Sequence, residues 1–234
     1  MTEPSRKEIW KMFDAISPTY DRINRILSLG MDRKWRKEIS KRLPSGRKLK
    51  LLDLATGTGD QIFSLLENGV SIQSAVGIDM ASEMLVLAEK KLRSKSYQTS
   101  VKFQRADAEK LPFQALSFDA ATFSFGIRNV CDPLLSLKEI HRVLKPNGKC
   151  LILEFSLPPW PIRGPFLFYL RHILPRIGGL LSKAPTAYRY LNQTIETFPS
   201  GKDFCLLMKS ASFQNIQAYP MALGGVTLYV GEKR

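Results

Sequence analysis

The sequence predicts a parallel, doubly wound α/β sheet closed by an antiparallel hairpin. Two observations carry this. Between Lys48 and Ser156, short apolar runs alternate with amphipathic helical stretches, the pattern of strand–helix–strand units. The first run, "LLDLATGTGD" (51–60), ends in two glycines one residue apart. That is a strand-to-helix turn of the kind that meets ligands outside the carboxyl ends of an open sheet.

In chain order, residues 1–45 read as a helical cap. In "DRKWRKEISKRL", Trp35, Ile39 and Leu43 recur at i, i+4 and i+8 among charges, an amphipathic helix with Asp32 as N-cap. "KLKLLDLA" is the first strand, and "DQIFSLLENG" a helix closed by Gly69. "QSAVGID" is the second strand, "SEMLVLAEKKLRSK" a helix capped by Ser82, and "SVKFQRAD" the third strand. After the turn "LPFQALS", "FDAATFSFG" is the fourth. "PLLSLKEIHRVLK" is a helix ended by the turn "PNG" (146–148), ahead of the fifth strand "KCLILEFS". Residues 157–195 are rich in Pro, Gly, aromatics and bases and read as a helical lid insertion. A helix near "SGKDFCLLMKSASF" and two strands, "QNIQAYPM" and "GGVTLYVGEK", joined at "ALGG", complete seven strands. Residues 1–234 thus read as a single domain.

An apolar fraction of 44% over 234 residues supplies a sizeable core and excludes wholesale disorder. Cys131, Cys150 and Cys205 form no CxxC and no disulfide framework, which fits a reducing cytosol. Nothing resembles a signal peptide or an apolar run of about 18 residues, so a cytoplasmic location is expected. No cluster of His and Cys suggests a metal. The net charge is +14, and residues 1–50 hold 14 Lys/Arg against 6 Asp/Glu. Residues 155–195 hold five bases and no acid. Such surfaces suit nucleic acid or anionic lipid headgroups, with simple solvation as the plain alternative.

Gly57 and Gly59 permit backbone conformations and close approaches that a Cβ would block. Asp79, 22 residues after Gly57, ends the second strand, where a carboxylate can accept both ribose hydroxyls of an adenosine. NAD and S-adenosylmethionine both present that ribose. Ile62 stands where a dinucleotide GxGxxG pattern wants glycine, and Asp60 would face a pyrophosphate. A sulfonium donor with an ammonium group suits a carboxylate better, so S-adenosylmethionine is favoured. A ligand-free turn is the alternative. Asp107, in "RADAEKLPF", can accept from the adenine amino group while the Ala108 N–H meets a ring nitrogen; Asp107 can equally cap a short helix.

"LLDLATGTGD", "GIDMASEML", "DAEKLPF", "FDAATFSFGIRNV", "RVLKPNGKCLILEFS" and "GGVTLYVGEK" together resemble the ubiquinone/menaquinone biosynthesis C-methyltransferases, from about Phe13 to the C-terminus. The resemblance implies the class I S-adenosylmethionine-dependent methyltransferase fold, Rossmann-like with helices on both faces. It implies methyl transfer to a ring carbon of a polyprenylated quinol, either demethylmenaquinol or the benzoquinol precursor of ubiquinone. By position it carries cofactor contacts to Thr58, Asp79, Asp107, Ala108 and Ser124. Gly57 and Gly59 of the turn, and Met80 beside Asp79, join them. "PNG" replaces the "PGG" of many members, and Asn tolerates positive φ well enough for that.

Ring methylation needs an electron-rich ring, an in-line approach to the sulfonium methyl, a dry pocket and two proton losses. Arg128, in the loop after the fourth strand, can stabilise a developing quinolate, or instead pair structurally with a carboxylate such as Asp132. Tyr20, on the N-terminal cap, closes the pocket and can hold a ring oxygen. His141 and His172 read as structural. Trp160, Phe166, Phe168 and Tyr169 with Arg163, Arg171 and Arg176 form either an interfacial patch for transient contact with an anionic membrane or an ordinary packed lid. The enzyme would then be peripheral on the inner face of the cytoplasmic membrane. Other acceptors, RNA included, remain alternatives, as does a non-enzymatic adenosine-binding subunit. With "FSFGIRN" after the fourth strand and no separate RNA-binding module, no nucleic-acid partner is expected. A homodimer is left open.

Overall fold

The computed structural model describes residues 6–96, 100–176 and 185–234. Residues 1–5, 97–99 and 177–184 lie outside the described residues, and with them the start of the cap and part of the lid insertion. Two helices, α1 (Ile9–Leu27) and α2 (Met31–Ser40), precede the sheet. Strand β1 (Leu49–Leu54), helix α3 (Asp60–Glu67), β2 (Ile72–Asp79), α4 (Ser82–Arg93) and β3 (Val101–Arg105) form the first half. The second half is β4 (Phe118–Ser124), α5 (Pro133–Val143) and β5 (Leu144–Phe155). The lid holds α6 (Arg163–Phe168), which runs on into a π-helical turn over Tyr169–Ile173, and α7 (Pro185–Thr197). Helix α8 (Lys202–Ser210), β6 (Gln214–Met221) and β7 (Val226–Glu232) close the chain.

The strands pair in the order β3-β2-β1-β4-β5-β7-β6, with β7 antiparallel to both neighbours and every other pair parallel. The order reverses between β1 and β4, which opens a crevice at their carboxyl ends. Strand β1 is buried at every position but Lys50, as a strand covered on both faces must be. Alternation sends Leu52 and Leu54 into one core with Phe123 and Ile140, and Leu51 into the other with Ile39 and Ile62. Each such fully buried side chain contributes roughly 1.5–3 kcal/mol. Strand β6 is largely exposed and carries Pro220, as suits an edge.

A third core joins the two additions to the sheet. Ile16 and Ile23 of α1 pack with Leu170 and Leu174 of the lid and Ile195 of α7. The Tyr169 hydroxyl donates to the Leu27 carbonyl at 3.2 Å. Cap and lid therefore grip each other.

Three local expectations are corrected. Asp32 is not an N-cap: α2 starts at Met31 behind Gly30 at φ 74°, and the Asp32 carboxylate accepts from Arg25 (2.6 Å) and Ser28 (2.9 Å), tying α1 to α2. Ser82 is the first residue of α4, not its cap; Asp14 of α1 accepts from the Glu83 N–H at 2.8 Å and serves that helix end from outside. "PNG" does not separate α5 from β5. The strand begins at Leu144, and the turn is an irregularity within it, with Asn147 at φ 61°.

Candidate active site

The crevice deepens into a cavity of about 500 Å³ lined by the glycine turn, the ends of β1 and β4, the cap and the lid. Gly59 sits at φ 83°, and a Cβ there would stand 2.8 Å from the Phe63 ring and 2.9 Å from Phe103. Gly57, at φ 55°, is open on its Cβ side. The Gly57 N–H donates to Asp79 Oδ2 at 2.8 Å, and the Ala81 N–H to Oδ1 at 2.9 Å. Burial pushes the Asp79 carboxyl up, opposed by these N–H groups and that of Met80. Asp79 thus organises the turn, with lone pairs left for further donors. Asp79 pairs with Arg105 across β2 and β3, which sets Asp107 and Ala108 just beyond the neighbouring strand end. One Asp107 oxygen accepts from the Glu109 N–H at 2.9 Å, the turn-capping alternative.

Thr58, Ser124, Arg128 and Tyr20 line the cavity with Gly57. The Thr58 hydroxyl donates to Asp21 of α1 (2.7 Å) and accepts from Lys91 (2.8 Å). The Ser124 hydroxyl donates to Gln61 at 3.0 Å. Asp60 does not offer a free carboxylate to a ligand. Burial would raise its pKa, but Lys91 at 2.7 Å and the charges of Arg36 and Arg25 bring it below the usual range. Its bearing on pyrophosphate is correspondingly weaker than the sequence implied.

Arg128 is buried, and its partner is Glu154, not Asp132. Its Nη1 donates to Glu154 Oε1 at 2.7 Å and to the Phe125 carbonyl at 2.6 Å, while Asp132 caps α5 through the Leu135 N–H. The Arg128 Nε and the Tyr190 hydroxyl are buried without a hydrogen-bond partner among the described residues, and both residues line the cavity. Burial raises the Tyr20 phenol, against the nearby charges of Arg36 and Arg128. His141 packs edge-on against Phe213, and His172 lies at a tilt against Phe168, neither of them lining the cavity. Of the expected interfacial aromatics, Phe166 and Tyr169 line the cavity, and Trp160 and Phe168 are exposed.

Three residues escaped the sequence reading. Asp53, 1% exposed, takes the Thr122 hydroxyl at 2.6 Å and the Thr56 hydroxyl at 2.7 Å; burial pushes it up to about 6. Glu154 is equally buried. Both are acids inside apolar strands, and that is the signal that finds them. Arg36 of α2 lines the cavity with its Nε buried and unpartnered among the described residues, its guanidinium 5.5 Å from the Phe125 ring centre. Asp53 and Arg36 both line the cavity, a carboxyl and a guanidinium of the kind that would suit an amino-acid zwitterion.

A seven-stranded sheet in this order, with a ligand turn at the switch point, defines a class I S-adenosylmethionine-dependent methyltransferase. Solved structures share the fold. One is an S-adenosylmethionine-dependent methyltransferase of Thermotoga maritima (TM-score 0.66, 18% identity, 97% of this chain and 100% of that one). Another is the Haemonchus contortus phosphoethanolamine N-methyltransferase 2 bound to S-adenosylhomocysteine (TM-score 0.65, 16% identity, 86% and 52%). The family model described as the ubiE/COQ5 methyltransferase family matches residues 1–233, and the chain belongs to that family. Its relatives include the ubiquinone/menaquinone biosynthesis C-methyltransferase UbiE of Geotalea daltonii, 43% identical over all of this chain and 99% of that protein. The demethylmenaquinone methyltransferase of Chlorobaculum parvum is 38% identical over 98% and 94%.

Proposed function

We propose that the protein transfers a methyl group from S-adenosylmethionine to a ring carbon of a polyprenylated quinol, demethylmenaquinol first and the ubiquinone precursor second. The observation that carries this is one cavity whose floor is the glycine turn and whose walls are mostly apolar, with the Arg128 Nε and Tyr190 hydroxyl buried and unpartnered in it. A flat ring with two oxygens and a hydrocarbon tail fits such a space. The names of the relatives point to the same acceptor.

In this reading Asp79 and Met80 hold the ribose end, and Asp107 and Ala108 the adenine. Gly57, Thr58, Gly59 and Ser124 shape the floor. Asp53 takes the methionine ammonium and Arg36 its carboxylate. The cofactor supplies an electrophilic methyl on a sulfonium. The protein excludes water with the cap and lid, and holds the quinol oxygen on Arg128 and Tyr20 as the hydroxyl gives up its proton. A guanidinium does not act as the base at ordinary pH; it stabilises the oxyanion. The ring carbon gains the methyl and then releases its own proton as the ring oxygen regains one, so one proton is released overall per methyl transferred. The exposed Trp160, Arg163 and Phe168 of the lid would meet the membrane in which such an acceptor resides.

Incubation with methyl-labelled S-adenosylmethionine and reduced demethylmenaquinone, dispersed in detergent, tests this. Label is expected in the quinone ring. Label in neither that lipid nor a demethylated benzoquinol rejects the acceptor assignment.

A further inference from the structure

Two leucines stand where leucine is doubly unfavourable. Leu29, between α1 and α2, is 85% exposed at φ 52°; Leu223, between β6 and β7, is 74% exposed at φ 57°. In that conformation an L-residue's Cβ crowds the following carbonyl, and each isobutyl group faces water. Both turns stand at the same cavity. Leu29 and Met31 line it on one side, Ala222 and Gly225 on the other. A Cβ on Gly224 would lie 3.1 Å from Pro159, so the Leu223 turn packs on the segment that carries Trp160, itself 86% exposed. Exposed apolar tips from three chain segments thus ring one mouth, where a soluble monomer ordinarily has scattered ones.

The charge beside these tips is predominantly basic, with Asp21, Asp60 and Glu67 the acids among the bases of the adjoining groove. Arg33, Lys34 and Lys37 follow Met31 on α2, are exposed, and have no side-chain partner among the described residues. They line a basic groove of about 890 Å³ that shares Ile26, itself exposed, with the apolar cavity. Apolar tips flanked by unpaired bases are the composition of an interfacial membrane surface.

We infer that this mouth docks on an anionic phospholipid bilayer, with Leu29, Leu223 and Trp160 entering the interface and Arg33, Lys34 and Lys37 meeting phosphate headgroups. The inference rests on the lipid-acceptor reading above. It moves the contact from the lid alone to the rim of the cavity, so that an acceptor passes from bilayer to cavity without crossing water.

The test is co-sedimentation of the full chain with vesicles of phosphatidylcholine, with and without phosphatidylglycerol. The parent is expected to bind the anionic vesicles, and less so as salt rises. The double variant Leu223→Asp/Trp160→Asp should bind them at least tenfold more weakly, while Arg33→Glu/Lys34→Glu abolishes the preference for phosphatidylglycerol. S-adenosylmethionine affinity by calorimetry reports that each variant is folded. A parent that ignores vesicles, or apolar-tip variants that bind as it does, overturns the inference. A Leu223-dependent dimer in light scattering, without vesicle binding, overturns it too and assigns the rim to a second copy. Methyl transfer to prenylated demethylmenaquinol dispersed in detergent, with no vesicle present, separates the two readings. Its failure with vesicle binding intact sinks the acceptor alone.

Discussion

The guanidinium of Arg128 and the carboxylate of Glu154 form a buried ion pair at 2.7 Å, with side chains 6% and 1% exposed. The pair joins the loop after β4 to strand β5 and leaves the Arg128 Nε unpartnered at the cavity wall. Arg128→Met should abolish methyl transfer and destabilise the protein by about 3–5 kcal/mol, because Glu154 is left as an uncompensated buried charge. Arg128→Met/Glu154→Leu should recover most of that stability in thermal unfolding and none of the activity. Recovered activity would leave Arg128 with a structural role only.

Asp53 makes a prediction about pH. Its carboxyl is pushed up to about 6 in the folded protein, from an ordinary value of 3.8. The folded state holds that proton more tightly than the unfolded one. The resulting penalty is absent below about pH 4, grows as pH rises to about 6, and is constant above. Asp53→Asn should therefore stabilise the ligand-free protein above pH 6 by up to about 3 kcal/mol, at 1.36 kcal/mol for each pH unit. A bound ammonium needs the carboxylate, so the affinity of the parent for S-adenosylmethionine should fall below pH 6 by roughly tenfold per unit. Calorimetry across pH 4.5–8 checks both statements.

The two ends of the cofactor are separable. Arg36→Met should weaken S-adenosylmethionine binding by about 1.5–3 kcal/mol, the worth of a hydrogen bond to a charged group. It should leave 5′-methylthioadenosine, which lacks the amino-acid group, untouched. Asp79→Ala should weaken both, since it removes the ribose partner and the anchor of the Gly57 N–H. Equal losses for both ligands in Arg36→Met would refute the carboxylate role.

Gly59 is constrained by its surroundings as well as its own conformation. A methyl group there meets two phenyl rings at under 3 Å with φ at 83°. Gly59→Ala should cost roughly 2–4 kcal/mol, from left-handed backbone and overpacking together. Gly57→Ala, with open space at its Cβ position, should cost only the backbone part. Chemical denaturation of the two variants ranks them.

Periodicity made the seven strands legible, because alternation of apolar runs is local. The places of the turn glycines and Asp79 at the ends of β1 and β2 were legible from the same local pattern. Arg36 was not, because Arg33, Lys34 and Lys37 share its helix and only tertiary placement singles it out. The Arg128 partner was missed because the pair spans 26 residues with no periodic signature. Asp32 and Ser82 misled because Arg25, Ser28 and Asp14 do across tertiary contacts what the sequence suggests is done locally. Asp53 and Glu154 were visible as acids inside apolar strands, a signal left unused.

Strand β7 sits inside the sheet, between β5 and the earlier edge strand β6. During synthesis β6 leaves the ribosome before its sheet neighbour β7 exists and must wait for it to arrive. Once there, β7 inserts beside β5, from Phe155↔Val226 to Lys149↔Glu232, a long-range contact whose loop-closure cost slows folding. A lesion in β7 therefore does not trim the sheet's margin. It splits the sheet and casts β6 loose, exposing two unpaired edges to any other nascent chain nearby.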